Sequence, residues 1–259
     1  MKVKSEMKIN GNTILVTGGG SGIGRALAVA FHGLGNQVIV AGRRKSALDE
    51  VTAAHPGMAS AVLDIENPAA IKALAAGMAA KYPNLNMLIN NAGIMRTEQL
   101  RDGDTADAEA MIAINLLGPI RLIAALLPQL MAQPDATIMN VSSGLAFLPL
   151  AMTPAYCATK AAIHSYTQSL RYQLKDSSVR VMELIPPYVQ TELMGAGQAS
   201  DSRAMPLEEF IAEVMGIVKS SPDAAEICVE RVKPLRLAEA NGNYDGFFKG
   251  FNEGMSGEH

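Results

Sequence analysis

The stretch Thr13-Ile14-Leu15-Val16-Thr17-Gly18-Gly19-Gly20-Ser21-Gly22-Ile23-Gly24-Arg25 decides the fold. Ile14, Leu15 and Val16 form a short apolar run of the kind found in a parallel strand covered on both faces. The glycines that follow let the backbone turn sharply and approach a ligand that any β-carbon would push away. A helical pattern then runs through Ala26, Leu27, Val29, Ala30 and Phe31. A helix starting near Ser21 aims its free N–H groups and the positive end of its dipole at the turn. A phosphate fits there without any basic side chain. The spacing, Gly18-x3-Gly22-x-Gly24, is not the G-x-G-x-x-G dinucleotide fingerprint. Taken alone it reads either as a phosphate cradle or as a plain strand-to-helix turn.

Composition narrows the class. The chain has 259 residues, 49% of them hydrophobic, which suffices for a sizeable core. Its net charge of -3 carries no basic excess for nucleic acid and no polybasic stretch for a lipid surface. The two cysteines, Cys157 and Cys228, lack C-x-x-C spacing, and residues 1–8 are too polar for a secretion signal, so a cytoplasmic protein with reduced thiols is expected. The four histidines form no ligand-spaced pair, and no metal site is expected. The longest apolar stretch, near 111–131, is broken by Asn115, Gly118, Pro119, Arg121 and Pro128, and no membrane span is expected.

Strand-like and helix-like segments alternate. Strands are expected at 14–17, 37–41, 59–64, 86–90, 136–142, 179–185 and 226–230, and helices at 22–34, 45–54, 67–82, 105–131, 154–176 and 206–219. Alternation of this kind predicts an α/β fold with a parallel sheet and helices on both faces. No linker interrupts it, so residues 1–259 read as one domain. Ligands in such sheets bind beyond the carboxyl ends of the strands.

The strand ends therefore matter most. The second strand runs into Gly42-Arg43-Arg44, with no acid to meet a ribose 2′-hydroxyl. Arg43 and Arg44 instead offer planar donors suited to the 2′-phosphate of NADP, or simply begin a solvated helix face. Asp64, followed by Ile65, stands at the end of the third strand, where it could bond an adenine amino group; it or Asn67 could equally cap the next helix. Asn91-Ala92-Gly93 ends the fourth strand. Asn115 sits in an apolar run four residues before Pro119, whose missing N–H leaves the Asn115 carbonyl free at a kink and able to hold a water.

The fifth strand ends in Ser142-Ser143-Gly144, and Tyr156-Cys157-Ala158-Thr159-Lys160 opens the next helix. Tyr156 and Lys160 are four apart and share one face. A nearby ammonium favours the phenolate and so lowers the phenol pKa toward the working range of a proton-transfer group. A hydroxyl from Ser143 could steady a carbonyl oxygen as charge develops on it. Cys157 reads as a small packed residue rather than a redox switch. Met95, Leu145, Phe147, Leu148, Leu150 and Met152 supply apolar wall or core.

The glycine turn, Asn91-Ala92-Gly93, Asn115, Ser143 and Tyr156-x3-Lys160 occur together in this order, and residues 12–195 thereby resemble the single-domain short-chain dehydrogenase/reductases. The Ser143–Phe147 and Tyr156–Ser165 stretches look most like the oxidoreductases of D-alanylation gene clusters. The resemblance implies a Rossmann-type doubly wound sheet of about seven strands in the order 3-2-1-4-5-6-7. It implies NADP(H)-dependent hydride transfer between the nicotinamide and a ketone, aldehyde or secondary alcohol. Asn115, Ser143, Tyr156 and Lys160 would be the catalytic set. Gly18, Gly20, Ser21, Gly22, Ile23, Arg43, Arg44, Asp64, Ile65, Asn91, Ala92, Gly93, Tyr156, Lys160, Pro186, Val189 and Thr191 would meet the cofactor. A non-catalytic dinucleotide sensor or scaffold is the rival. Nucleotide-sugar epimerase or dehydratase chemistry usually needs a larger substrate domain.

Two regions depart from the family pattern. Pro186-Pro187 replaces the usual Pro-Gly and stiffens the loop before Tyr188, Val189 and Thr191. The usual ending is absent; residues 240–259 carry Asn241-Gly242-Asn243 and Phe247-Phe248 instead. That tail reads as a solvated helix, a lid or a subunit contact, the phenylalanines favouring a contact. Residues 192–205 read as a substrate-covering loop. A homodimer or homotetramer pairing through the helices at 105–131 and 154–176 is expected.

Overall fold

Seven short segments become seven strands, and their order sets where a ligand can lie. The computed structural model describes residues 7–256. The outermost parts of the expected 1–259 domain and 240–259 tail, residues 1–6 and 257–259, lie outside the described residues. The strands are β1 (Thr13–Thr17), β2 (Gln37–Gly42), β3 (Ala59–Val62), β4 (Leu85–Asn90), β5 (Ala136–Val141), β6 (Val179–Ile185) and β7 (Glu226–Cys228). They pair in parallel in the order β3-β2-β1-β4-β5-β6-β7. The order reverses between β1 and β4. Connections leave in opposite directions there and open a crevice beyond the strand ends.

The helices are α1 (Gly22–Gly33), α2 (Lys45–Ala54), α3 (Pro68–Lys81), α4 (Ala106–Ile112), α5 (Gly118–Met131), α6 (Pro154–Gln173), α7 (Ala196–Ser200), α8 (Leu207–Ser220), α9 (Lys233–Arg236) and α10 (Tyr244–Ser256). Alternate strand residues point to opposite faces. Ile14, Val16, Val38 and Val40 pack on Leu27 and Phe31 of α1, Leu48 of α2, and Phe210 and Val214 of α8. Leu15, Ile39, Leu88 and Ile138 face the other way, onto Ile71 of α3, Leu122 and Leu126 of α5, and Leu170 of α6. Each large side chain fully withdrawn from water contributes about 1.5–3 kcal/mol. Covering both faces is what makes these strands read as unbroken apolar runs.

The helix expected over 105–131 arrives in pieces. Between α4 and α5 lies a π-helical turn, Ala113–Leu117, in which the Gly118 N–H reaches back five residues to the Ala113 carbonyl. Proline at 119 cannot donate, so the ladder widens here instead of continuing. Gly118 must be small: a β-carbon there would stand 2.8 Å from the Ile65 side chain. The helical run Ala106–Met131 holds an 18-residue window of mean hydropathy 2.0 and is long and apolar enough to cross a membrane, although the sequence held no uninterrupted apolar span. Its inward residues Leu122, Ile123, Leu126 and Leu130 are buried on the sheet. Three strands end sooner than expected, β3 at Val62, β5 at Val141 and β7 at Cys228. Asn67, rather than Asp64, caps α3, accepting from the Ala69 and Ala70 N–H groups at 2.9 and 3.2 Å.

Candidate active site

Gly18 and Gly22 have φ of +66° and +52°, in the left-handed region that only glycine enters freely. A β-carbon on Gly18 would stand 2.8 Å from Asn91 Nδ2. One on Gly24 would stand 2.3 Å from the same atom and 2.4 Å from the Gly18 carbonyl oxygen. The turn after β1 and the end of β4 thus touch with no room between them. Asn91 Nδ2 donates to the Thr17 carbonyl at 3.0 Å, and Thr17 Oγ1 accepts from the Asn91 and Ala92 N–H groups at 3.0 and 3.1 Å. Thr17, which the sequence reading left without a role, locks the two strand ends.

Gly18, Ser21, Gly22, Ile23, Arg43, Arg44, Asn91, Ala92 and Gly93 line one cleft of about 620 Å³. Ser21, extended at the start of α1, makes no cap bond with its side chain; Arg44 Nη2 donates to its Oγ at 3.0 Å instead. Three expected contacts stand apart. Gly20 faces α2, where its β-carbon would meet Ala47 at 3.3 Å. Asp64 lies beyond the end of β3 and accepts from the Glu66 N–H at 3.1 Å. Ile65 is core, packed at Gly118. None of the three lines the cleft.

Ser143, Tyr156 and Lys160 line the same cleft. The Tyr156 hydroxyl hydrogen-bonds the Ser143 side chain, whose Oγ also accepts from the Leu145 N–H at 3.1 Å. Lys160 Nζ donates to the Val141 carbonyl at 2.8 Å and lies 5.5 Å from the centre of the Tyr156 ring. Burial pushes the Tyr156 phenol well up, and the Ser143 bond only partly offsets this. This is opposite to the direction expected from the Tyr-x3-Lys spacing, because desolvation of the buried phenolate is the largest effect on the group. Burial pushes Lys160 down to about 8, and Glu183 opposes that shift. Asn115 braces rather than lines: its Oδ1 accepts from the Ile94 N–H, and its Nδ2 donates to the Ile94 carbonyl, both at 2.9 Å, and to Thr159 Oγ1 at 3.2 Å. Cys157 is buried, its thiol pushed up by burial and its Sγ accepting from the Leu150 N–H at 3.3 Å, as a packed residue should be.

Pro186, Pro187, Val189 and Thr191 supply the next wall. The Gly144 N–H donates to the Pro186 carbonyl at 2.9 Å, tying this loop to Ser143. Gln198 of α7 donates to the Val189 carbonyl at 2.8 Å and to Thr191 Oγ1 at 3.1 Å. The 192–205 segment is therefore built, not featureless: it holds α7, and Asp201 accepts from Tyr188 and pairs with Arg203. Phe251 and Met255 of α10 pack with Leu150, Tyr156 and Cys157 and line the cleft. Asn252 pins the helix by accepting from the Ala151 N–H at 2.6 Å and donating to the Pro149 carbonyl at 3.2 Å. Phe251, Met255, Gln198, Arg231 and Leu235 were all missed as site residues. The Phe247-x3-Phe251-x3-Met255 spacing was a legible sign of one apolar helix face.

Residues 12–201 match the short chain dehydrogenase family model. The chain belongs to the short-chain dehydrogenase family. It is 41% identical over 257 residues to Uncharacterized oxidoreductase DltE of Bacillus subtilis (strain 168), covering 95% of this chain and 98% of that protein. A short chain dehydrogenase from Burkholderia cenocepacia J2315, solved with NADP, superposes with a TM-score of 0.80 at 24% identity, covering 94% of this chain and 98% of that one, which speaks to the fold. The closed form of serine dehydrogenase complexed with NADP+ gives 0.75 at 28% identity over 83% of this chain and 93% of that one. Another protein of the same fold carries NAD. Family membership makes this short-chain dehydrogenase a dinucleotide-dependent oxidoreductase.

Proposed function

We propose that this short-chain dehydrogenase is an NADP(H)-dependent carbonyl reductase or alcohol dehydrogenase, acting on a small to medium, mainly apolar ketone, aldehyde or secondary alcohol. One observation carries the reading: Ser143, Tyr156 and Lys160 line the same cleft as the glycine turn. The residues fit a dinucleotide, since Gly18 and Gly22 hold a cradle that a β-carbon would fill and α1 begins at its edge. Gly18, Ser21, Gly22 and Ile23 would hold the pyrophosphate, and Arg43 with Arg44 the 2′-phosphate. Asn91, Ala92 and Gly93 would floor the site, and Pro186, Val189 and Thr191 would meet the carboxamide. Gly20, Asp64 and Ile65 carry no contact in this proposal.

The nicotinamide supplies or takes up the hydride when bound. Tyr156, kept protonated by burial, gives its proton to the substrate oxygen, which suits carbonyl reduction. Ser143 orients that oxygen and, through its bond to Tyr156, steadies the negative charge left on the phenolate. Lys160 offsets the burial of the phenolate as it forms. The Asn115 carbonyl, in the π-helical turn, would hold the water that links Lys160 to solvent. Ile94, Met95, Leu145, Leu150, Phe251 and Met255 make the substrate side apolar. Exposed Ile112, Leu117 and Tyr172 support pairing of two or four copies through α4, α5 and α6, and the free thiols of Cys157 and Cys228 suit the cytoplasm.

The test is NADPH against NADH titration on purified protein, then a panel of ketones and alcohols. Tyr156→Phe should lower turnover by about 10²–10⁴ with NADPH affinity kept. Unchanged turnover in that variant would overturn Tyr156 as the proton donor, and dinucleotide binding with no turnover across the panel would leave a dinucleotide-binding sensor.

A further inference from the structure

Glu183 of β6 carries a carboxylate with no solvent exposure. His164 Nδ1 meets both of its oxygens, at 2.8 and 3.0 Å. A buried ionised carboxylate is unfavourable without a compensating charge nearby. His164 is not the only group placed to help. Tyr156, Lys160 and His164 recur every four residues on α6 and so form one stripe facing the sheet. Lys160 lands on the carbonyl of Val141, while the β5–β6 register sets Asn140 opposite Glu183 and Val141 opposite Leu184. The ammonium of α6 thus meets β5 at Val141, one position along from Asn140, whose register partner on β6 is Glu183.

We propose that Glu183, held by His164, is the buried counter-ion of Lys160, a positioning pair that keeps the lysine charged and in place for proton transfer. The inference rests on the reading of Tyr156 and Lys160 as the proton-transfer pair. The other groups facing Glu183 have partners of their own. Arg171 of α6 donates to the Val181 and Ala225 carbonyls at 2.9 and 2.8 Å. Glu226 of β7, opposite Glu183 in register, has both oxygens on Arg236 of α9, at 2.8 and 3.0 Å. Arg236 stacks over Phe147, whose ring stands edge-on to His164 at 4.7 Å. Cys228 of β7 and Lys233 of α9 complete the surroundings. His164, Glu183 and Glu226 bring ligand atoms within 4.8 Å of one another, but Arg236 neutralises Glu226, which makes this an ion-pair cluster rather than a cation cage. Glu183 is the carboxylate that opposes the effect of burial on Lys160.

Removing that negative charge must lower the lysine pKa, since an opposite charge favours the charged form. The experiment follows Lys160 directly in the free protein, by competitive acetic anhydride labelling against pH read out by mass spectrometry. In wild type the midpoint should lie near 8. In Glu183→Gln it should fall by about one pH unit. Glu183→Asp, which keeps the charge but disturbs packing as much, should stay near wild type. His164→Ala, at a partly exposed position, leaves the carboxylate to Lys160 alone, should shift the midpoint the opposite way, upward, and serves if Glu183→Gln does not fold. The basic limb of the kcat/KM profile should move with the labelling midpoint. Midpoints unmoved in Glu183→Gln and His164→Ala would overturn the pairing even where Tyr156→Phe abolishes turnover. A shifted midpoint alongside full turnover in Tyr156→Phe would support the pairing and sink the catalytic reading instead.

Discussion

Gly24→Ala tests how tightly the cofactor cradle is built. The added β-carbon would sit 2.3 Å from Asn91 Nδ2 and 2.4 Å from the Gly18 carbonyl oxygen. Neither distance is tolerable, and the second partner is backbone that cannot rotate away. Overpacking of this kind costs about 1–3 kcal/mol, and the rigid partner argues for the upper end. The Asn91 amide must also leave the Thr17 carbonyl, which it bonds at 3.0 Å, at a further loss of about 1 kcal/mol. Alanine's better helix propensity returns about 1 kcal/mol. The net loss is about 3 kcal/mol, and for a chain of this size about 2–4 °C per kcal/mol gives a fall in Tm of roughly 6–12 °C. Gly33→Ala is the control within the same helix. It is exposed, and a β-carbon there meets nothing within 4 Å. It should raise Tm by roughly 2 °C through propensity alone. Thermal melts of both variants, with NADPH titrated calorimetrically, provide the measurement. A Gly24→Ala protein that melts within about 2 °C of wild type and binds NADPH unchanged would refute the close approach of turn and strand end.

Replacing Arg43 or Arg44 with glutamate should weaken NADPH about ten- to a hundredfold against NADH, the worth of one or two charge-assisted hydrogen bonds; equal loss for both cofactors in a binding titration would place the arginines off the 2′-phosphate. Phe251→Ala should remove about 1–2 kcal/mol of apolar contact from the substrate wall, raising KM roughly five- to thirtyfold for small ketones while leaving NADPH affinity unchanged. A KM that stays put would mean that α10 covers the cleft without touching substrate.

The sheet was legible because parallel strands buried on both faces leave unbroken apolar runs such as Ile14-Leu15-Val16 and Met87-Leu88-Ile89. The pairing of Tyr156 with Lys160 was legible because both lie on one helix, where spacing alone decides which side chains share a face. That a glycine turn forms after β1 was legible for the same local reason, although which way each glycine faces was not, Gly20 packing on α2. Contacts between distant segments were not. Nothing near Thr17 says that its hydroxyl will take the Asn91 and Ala92 N–H groups, and nothing near Phe251 says that it will close a cleft opened by Gly18. The direction of the Tyr156 shift also escaped the sequence. Spacing supplies the neighbouring ammonium, whereas desolvation depends on how much of the rest of the chain is stacked over the phenol. Local periodicity and turn chemistry determine which elements form and what each can offer. Burial, and the meeting of elements far apart in the chain, exist only once those elements have packed.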